Sequence, residues 1–352
     1  MADSAAVTIL NTGESYLCPP DVALLDAGLA AGLHIPHSCR GGACGTCKAR
    51  VVEGTVDHGW VMSFAITDEE KAEGYCLTCQ SKPTSARVAL RMVNDMVPRA
   101  AAPTVVPSEF EATVLAAHRV TPTVMRVVLA VPAGMRFAFN AGQNLEFVVP
   151  GLVQPRPYSI VEAPGADGTP PVGQLSFYVT RHDRGHASGW LHDNLRTGDA
   201  IQVRGPYGEF HLPAGDGPLF GLAGGTGLSP VLSLMADALA AGFAGPARLM
   251  VSVRDRREIF AFDALSALAR AYPNFGARFT LTREASVPAP WLSGRITDLL
   301  ARDRPDLSGA RVLIAGAPAF VDAVRSAAIT CAAAPASIAV DSFVSRNPDA
   351  GR

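Results

Sequence analysis

Three cysteines packed into nine residues constrain this chain more than any other feature of it. Cys39, Cys44 and Cys47 are spaced C-x4-C-x2-C in the run from His37 to Cys47, with Gly41, Gly42 and Gly45 between them. Thiolates hold soft metals, and glycines let backbone N–H groups approach sulfur without a Cβ in the way. Such a loop wraps its own backbone around an inorganic centre. A fourth ligand has to come from elsewhere, and Tyr75-Cys76-Leu77-Thr78-Cys79 offers two further thiols. The competing reading pairs Cys44/Cys47 with Cys76/Cys79 as two CxxC knuckles around a structural zinc. The 28 residues between those knuckles are long for a zinc ribbon. That reading also leaves Cys39 and the glycines without a role. A mixed histidine–cysteine iron–sulfur centre does not fit, because His34 and His37 both precede Cys39 and no histidine follows the second cysteine group at short spacing.

The pattern resembles the plant-type two-iron two-sulfur ferredoxins. The resemblance implies Cys39, Cys44, Cys47 and Cys79 as the metal ligands, with Cys79 closing a Tyr-x-Leu-Thr-Cys segment where that family has its fourth. Cys76, Cys18 and Cys331 are then packed core thiols. Within residues 1–98, Val7–Leu10 and Tyr16–Cys18 read as strands around a turn at Asn11-Thr12-Gly13. Asp21 reads as the N-cap of a helix over Val22–Ala31, with Val22, Leu25 and Leu29 on one face and Gly32 as the stop. Lys48–Glu53 and the alternating Arg87–Val93 read as further strands. A small mixed sheet on one helix fits the α+β β-grasp fold of ferredoxins.

The 352 residues suggest two or three domains. The net charge of −2 gives no pull toward nucleic acid. Residues 1–98 carry 7 basic and 11 acidic side chains, and Asp68, Glu69, Glu70 and Glu73 form an acidic stretch suited either to a solvated face or to steering a redox partner. The first twenty residues lack an apolar signal-peptide core, and no apolar run is long enough to span a bilayer. Seven cysteines clustered for metal point to a reducing cytoplasm and no disulfides.

Residues 99–107 are rich in Pro and Ala without apolar period and read as an extended linker. From 108 to 213 short strands follow at Glu111–Ala117, Val124–Val131, Gln143–Pro150, Pro157–Val161, Gln174–Thr180 and Ala200–Arg204, which suggests an antiparallel β-barrel. Arg156-Pro157-Tyr158-Ser159 resembles the R-x-Y-S motif of the ferredoxin–NAD(P)H reductase superfamily. There the Arg pairs with cofactor phosphate, the Tyr packs on the isoalloxazine and the Ser bonds near flavin N5, so the resemblance implies FAD. Beyond Val179, the turn with Gly185, Ala187 and Ser188 matches the family's phosphate-facing helix start, with His186 where relatives often have Gly. Trp190, Leu191 and Leu195 continue as the apolar face of that helix, and Gly205-Pro206-Tyr207-Gly208-Glu209-Phe210 resembles the barrel exit.

Residues 214–352 switch to strand–helix alternation. Strands are expected at Leu219–Ala223, Arg248–Val253, Ala277–Leu281, Arg311–Ala315 and Ser337–Val344. Helices are expected from Ser229-Pro230 to near Gly242 and over Ala261–Ala271, Ile296–Ala301 and Ala319–Ala328. This is a doubly wound α/β nucleotide domain. Gly224-Gly225-Thr226-Gly227 is neither a G-x-G-x-x-G nor a Walker loop. Together with Gly316-Ala317-Pro318 it resembles the superfamily's paired nicotinamide-nucleotide loops, with Ala315 where many relatives have Cys. Asp255, within Arg254-Asp-Arg-Arg257, stands where ribose specificity is set; an acidic side chain there favours NADH over NADPH and the arginines pull the other way. Phe343 falls where relatives place an aromatic against the flavin, or is a buried strand residue.

Taken along its whole length, the chain resembles the reductase components of multicomponent aromatic oxygenases, nearest in layout to naphthalene-dioxygenase-type reductases. That implies hydride transfer from NADH to FAD and single-electron delivery through the two-iron two-sulfur cluster to an oxygenase or a small ferredoxin, by a monomer with no catalytic side chain of its own. A biosynthetic reductase of sugar deoxygenation and a non-catalytic redox sensor share this domain order and are the alternatives.

Overall fold

The computed structural model describes residues 4–93, 105 and 107–343, apart from positions 32, 34, 38, 39, 43, 44, 64, 153, 184 and 285. Most of the expected linker, and Val344 with all that follows it, lie outside the described residues. The described residues form two compact units, one holding those up to position 93 and one holding those from 105 to 343.

In the first unit, β1 (Ala5–Ile9), β2 (Ser15–Cys18), α1 (Leu24–Ala30), β3 (Lys48–Glu53), β4 (Val56–Asp57), α2 (Asp68–Ala72), β5 (Tyr75–Leu77), β6 (Lys82–Pro83) and β7 (Arg87–Met92) follow in order. The main sheet runs β2-β1-β7-β3-β5, with β1 and β7 parallel and the other pairs antiparallel. Alternation drives it: Val7, Ile9, Val88, Leu90 and Ala49 point inward and are buried, beneath Leu24 and Leu25 of α1. Fully burying one such Leu contributes roughly 1.5–3 kcal/mol.

Two local expectations are corrected. The N-cap of α1 is Ala23, not Asp21, and no side chain caps it; Leu24 N–H and Leu25 N–H instead bond the carbonyls of Ser81 and Thr78, so tertiary contacts do the capping. The buried face of α1 is Leu24, Leu25, Ala27 and Gly28, with Val22 and Leu29 only partly buried at its margin. Gly32, the expected stop, lies outside the described residues; the C-cap is Ala31. Helix α2, not anticipated, starts with a capping box between Thr67 and Glu70.

The second unit begins with β8 (Ser108–Arg119), β9 (Val124–Ala130), β10 (Asn144–Phe147), β11 (Arg156–Ser159), β12 (Gln174–Thr180), α3 (His186–Asn194) and β13 (Ala200–Tyr207). These strands form an antiparallel sheet in the order β11-β10-β13-β8-β9-β12. The two ends approach where Val161 N–H, just past β11, donates to Ser176 of β12, giving a barrel around Phe139, Phe147, Phe177 and Leu145.

Then come β14 (Leu219–Gly224), α4 (Leu228–Ala240), β15 (Ala247–Val253), α5 (Phe262–Ala271), β16 (Phe275–Leu281), β17 (Leu292–Ser293), α6 (Ile296–Asp303), β18 (Arg311–Gly316), α7 (Pro318–Thr330) and β19 (Ile338–Ser342). All pairs of this sheet are parallel, in the order β17-β16-β15-β14-β18-β19. The connection reverses direction at β14, whose neighbours are β15 and β18, and that reversal opens a crevice at the carboxyl ends of β14 and β18. Among the described residues, no helix is long and apolar enough to cross a membrane.

Candidate functional site: a cysteine loop, a barrel edge and a strand-end crevice

Several attachments among the described residues hold the cysteine loop. Arg40, beside Cys39, has its guanidinium 2.6 Å from the Asp26 carboxylate of α1. Met62 N–H donates to the Gly42 carbonyl at 2.9 Å. Gln80 Nε2 donates to the Arg40 carbonyl at 3.0 Å and lies 3.9 Å from Cys79 Sγ. Gly42 is required here: its φ is +75°, and a Cβ would stand 2.6 Å from the Trp60 carbonyl oxygen and 2.9 Å from Gln80 Cγ. Cys39 and Cys44 lie outside the described residues. Cys47 and Cys79 are both buried, and Thr78 ties the two segments together by donating its N–H and hydroxyl to the Cys47 carbonyl. Cys76 is different. It sits inside β5 opposite Ala49, fully buried in the core, and burial pushes its thiol up to about 12. Cys79 lies beyond the end of β5, in the turn that Gln80 joins to Arg40. A glycine-lined loop with buried thiols at its base has the donor set of an iron–sulfur cluster.

At the barrel edge, β11 carries Arg156-Pro157-Tyr158-Ser159 antiparallel to β10. Tyr158 leans on Phe147 with ring centroids 4.9 Å apart, and burial raises its phenol well above the ordinary value, so it stays a neutral donor. Arg156 donates through Nη1 to the carbonyls of Gln154 and Pro155, which fixes the half-buried guanidinium near the strand start. Ser159 faces Asn144, whose buried amide oxygen has no hydrogen-bond partner among the described residues. Helix α3 starts at His186 after Gly185, with no side-chain cap. Ser188 is occupied within its own turn, donating to Gly185 O and accepting from His182 N. The first-turn N–H groups at His186 and Ala187 therefore suit a phosphate. The Val179 side chain is in the barrel core, and its carbonyl accepts from His192.

The crevice is built by two uncapped helix starts, α4 after Gly227 and α7 after Ala317, with Pro318 as the first residue of α7. Gly227 permits their approach, since a Cβ there would run into the Ala315 carbonyl. Phe320, which sequence reading missed, lays its ring 3.0 Å from where Cβ atoms of Gly224 and Gly316 would be, and so floors the crevice. An aromatic two residues past a strand-end Gly-Ala-Pro was the available clue. Phe343 is half-buried and its N–H donates to Gly316 O at 2.8 Å. Asp255 caps the short turn Arg256–Glu258 and bonds Arg257 through backbone and side chain. Its carboxyl is held below the usual range by the Arg257 guanidinium. Arg256 is paired with Glu284 at 3.1 Å.

Barrel and crevice meet. Thr180, at the end of β12, and Thr226, in the turn after β14, have hydroxyl oxygens 3.1 Å apart. Ser233 of α4 donates to Glu162 O at 2.5 Å, and Tyr178 packs on Phe260 with centroids 4.7 Å apart.

Comparison with known proteins finds three family models along the chain. The model for 2Fe-2S iron-sulfur cluster binding domains matches residues 7–84, that for oxidoreductase FAD-binding domains matches 111–212, and that for oxidoreductase NAD-binding domains matches 222–326. The reductase subunit of an aromatic O-demethylase from Amycolatopsis is 34% identical over 88% of this chain and 90% of its own length. The ferredoxin–NAD(+) reductase component of the alkene monooxygenase system of Xanthobacter autotrophicus is 31% identical over 95% of this chain and 99% of its own. A crystal structure of an Amycolatopsis cytochrome P450 reductase superposes with a TM-score of 0.77 at 32% identity, covering 96% of this chain and 98% of that one. The three expected modules are therefore present as β-grasp ferredoxin, flavin barrel and nucleotide domain. When bound, NADH and FAD supply hydride transfer, and the cluster supplies one-electron steps. The chain belongs to the two-iron two-sulfur ferredoxin–NAD(P) reductases that serve as reductase components of multicomponent oxygenases.

Proposed function

We propose that this chain delivers electrons from NADH to the oxygenase component, or an intermediary small ferredoxin, of a system that hydroxylates or demethylates an aromatic compound. The Thr180–Thr226 contact carries the reading, because it joins the end of β12, which leads into the expected phosphate turn, to the expected dinucleotide turn. The barrel edge residues Arg156, Pro157, Tyr158 and Ser159 hold the flavin, and Gly185, Ala187 and Ser188 form the phosphate turn next to Val179. Gly224, Gly225, Thr226, Gly227, Gly316, Ala317 and Pro318 cradle the dinucleotide, Asp255 meets its adenosine ribose, and Phe343 covers the crevice end. Cys39, Cys44, Cys47 and Cys79 hold the cluster. The domains divide at 1–98, 108–213 and 214–352. The protein works as a cytoplasmic monomer.

The partner docks near the cysteine loop. There Trp60 exposes 56% of its surface next to the Gly42 contact, and Glu69 and Glu73 are exposed, suited to a basic partner surface, while Asp68, also exposed, meets Lys71 at 2.8 Å. Glu70 is engaged by Lys48 at 2.7 Å and contributes less. The test is direct. Purified protein should carry iron, acid-labile sulfide and FAD, and should reduce both a two-electron dye and cytochrome c with NADH. Protein that contains zinc, takes up no flavin and ignores NADH would refute the reading.

A further inference from the structure

We infer that Glu258 is a positioning residue that ties the ribose-recognition turn to the flavin barrel, and that dinucleotide affinity depends on this tie. The inference rests on the dinucleotide reading of the crevice. The turn Arg256–Glu258 follows Asp255 directly. Its last residue, Glu258, reaches across to the tip between β8 and β9. There a single carboxylate oxygen, Oε2, accepts the hydroxyls of Thr121 at 2.8 Å and Thr123 at 2.6 Å. The direction of these bonds is fixed. Thr121 Oγ1 already accepts the N–H groups of Thr123 and Val124, so its proton is committed to Glu258.

The same tip is bound to the flavin side. Thr123 O accepts Arg181 N–H at 2.7 Å, one residue past β12 and just ahead of the phosphate turn at Gly185–Ser188. Val124 packs into the core of the nucleotide domain, and Phe260, two residues past Glu258, packs on Tyr178. A path of short contacts therefore runs from Asp255 through Glu258, Thr123 and Arg181 to the flavin phosphate turn. Charge-assisted hydrogen bonds are the strong class, and Thr121 is buried. A ligand spanning two sites pays in affinity when one of them is loosened, because the ordering then falls to the ligand.

The experiment titrates ADP-ribose calorimetrically into the full-length, flavin-loaded protein. Glu258→Ala should raise the dissociation constant about tenfold, with flavin content unchanged. In NADH-dependent dye reduction the loss should fall in KM more than in kcat. Glu258→Gln should restore near-normal binding, since its amide oxygen can accept both hydroxyls. Thr123→Val, which removes one donor and spares the backbone-capping Thr121, should give an intermediate loss and keeps the test open if Glu258→Ala fails to fold. Normal ADP-ribose binding by Glu258→Ala or by Thr123→Val overturns the inference, as does a Gln variant no better than Ala. If the unaltered protein binds no ADP-ribose, the dinucleotide reading itself falls.

Discussion

The cysteine loop and the strand-end crevice solve the same problem, holding a redox group, by opposite means. Three of the four cysteines expected at the loop fall within nine residues, and its shape comes from local glycine conformation pressed against Trp60 and Gln80. The crevice draws on distant segments: Gly224–Gly227, Gly316–Pro318 and Phe320 meet through the β14–β18 pairing, Phe343 follows β19 beside β18, and Asp255 follows β15 beside β14. One site is written in composition and the other in topology. Damage should follow the same division: abrupt and chemical at the loop, graded and mechanical at the crevice.

The largest expected effect sharpens the loop side. Cys79→Ser should abolish the visible absorbance of the cluster while dye reduction through the flavin persists; Cys76→Ser should spare the absorbance, being a core thiol within β5. The reverse pair of spectra would reassign the fourth ligand. Next comes Gly227→Ala, whose methyl meets the Ala315 carbonyl. It should cost about 3 kcal/mol of stability by overpacking, read as a lowered melting temperature, and weaken NADH binding. Its neighbour tests the graded claim: Gly225 has φ +54° but open space around it, so Gly225→Ala should cost only about 1–2 kcal/mol. Phe320→Ala should lose a further class of contact, about 1–2 kcal/mol for a half-buried ring, with KM for NADH raised and cluster absorbance untouched. An unchanged KM would remove Phe320 from the crevice floor.

The smallest effect is one of pH. His192 is buried and its Nε2 meets the Val179 carbonyl at 2.9 Å, and burial, with Arg119 and Arg181 nearby, lowers its pKa below the ordinary imidazole value. The folded state thus prefers the neutral ring. Its contribution to stability is present above the unfolded pKa near 6.5 and is lost as pH falls through the depressed folded value. Melting temperature should drop between roughly pH 7 and pH 5, and His192→Gln should flatten that slope.

Much of this architecture was legible in the residues. Lys48–Glu53 and Gln174–Thr180 are strands with the bounds expected, because apolar alternation and flanking turns leave no competing period. The α/β alternation after Leu219 is likewise plain, down to Pro230 in the first turn of α4. What escaped is what depends on distant partners. Asp21 has the chemistry of a cap, yet Ser81 and Thr78 take over the N–H groups of α1. Asp68–Ala72 looked like an acidic surface run, although Thr67 and Glu70 carry a capping box. Phe320 meets Gly224, and Glu258 meets Thr121 and Thr123, only after the sheet has ordered its strands, and no short window of sequence contains both halves of either contact.

The slot beside β14 has a consequence for biosynthesis. Strand β18 is its permanent neighbour on one side, and residues 311–316 leave the ribosome nearly ninety positions after β14 does. Until then the growing polypeptide presents an unpaired strand edge, the kind of template on which chains aggregate. A fragment ending just before Arg311 keeps every strand of its ferredoxin module and its barrel and still lacks half the walls of a coenzyme pocket.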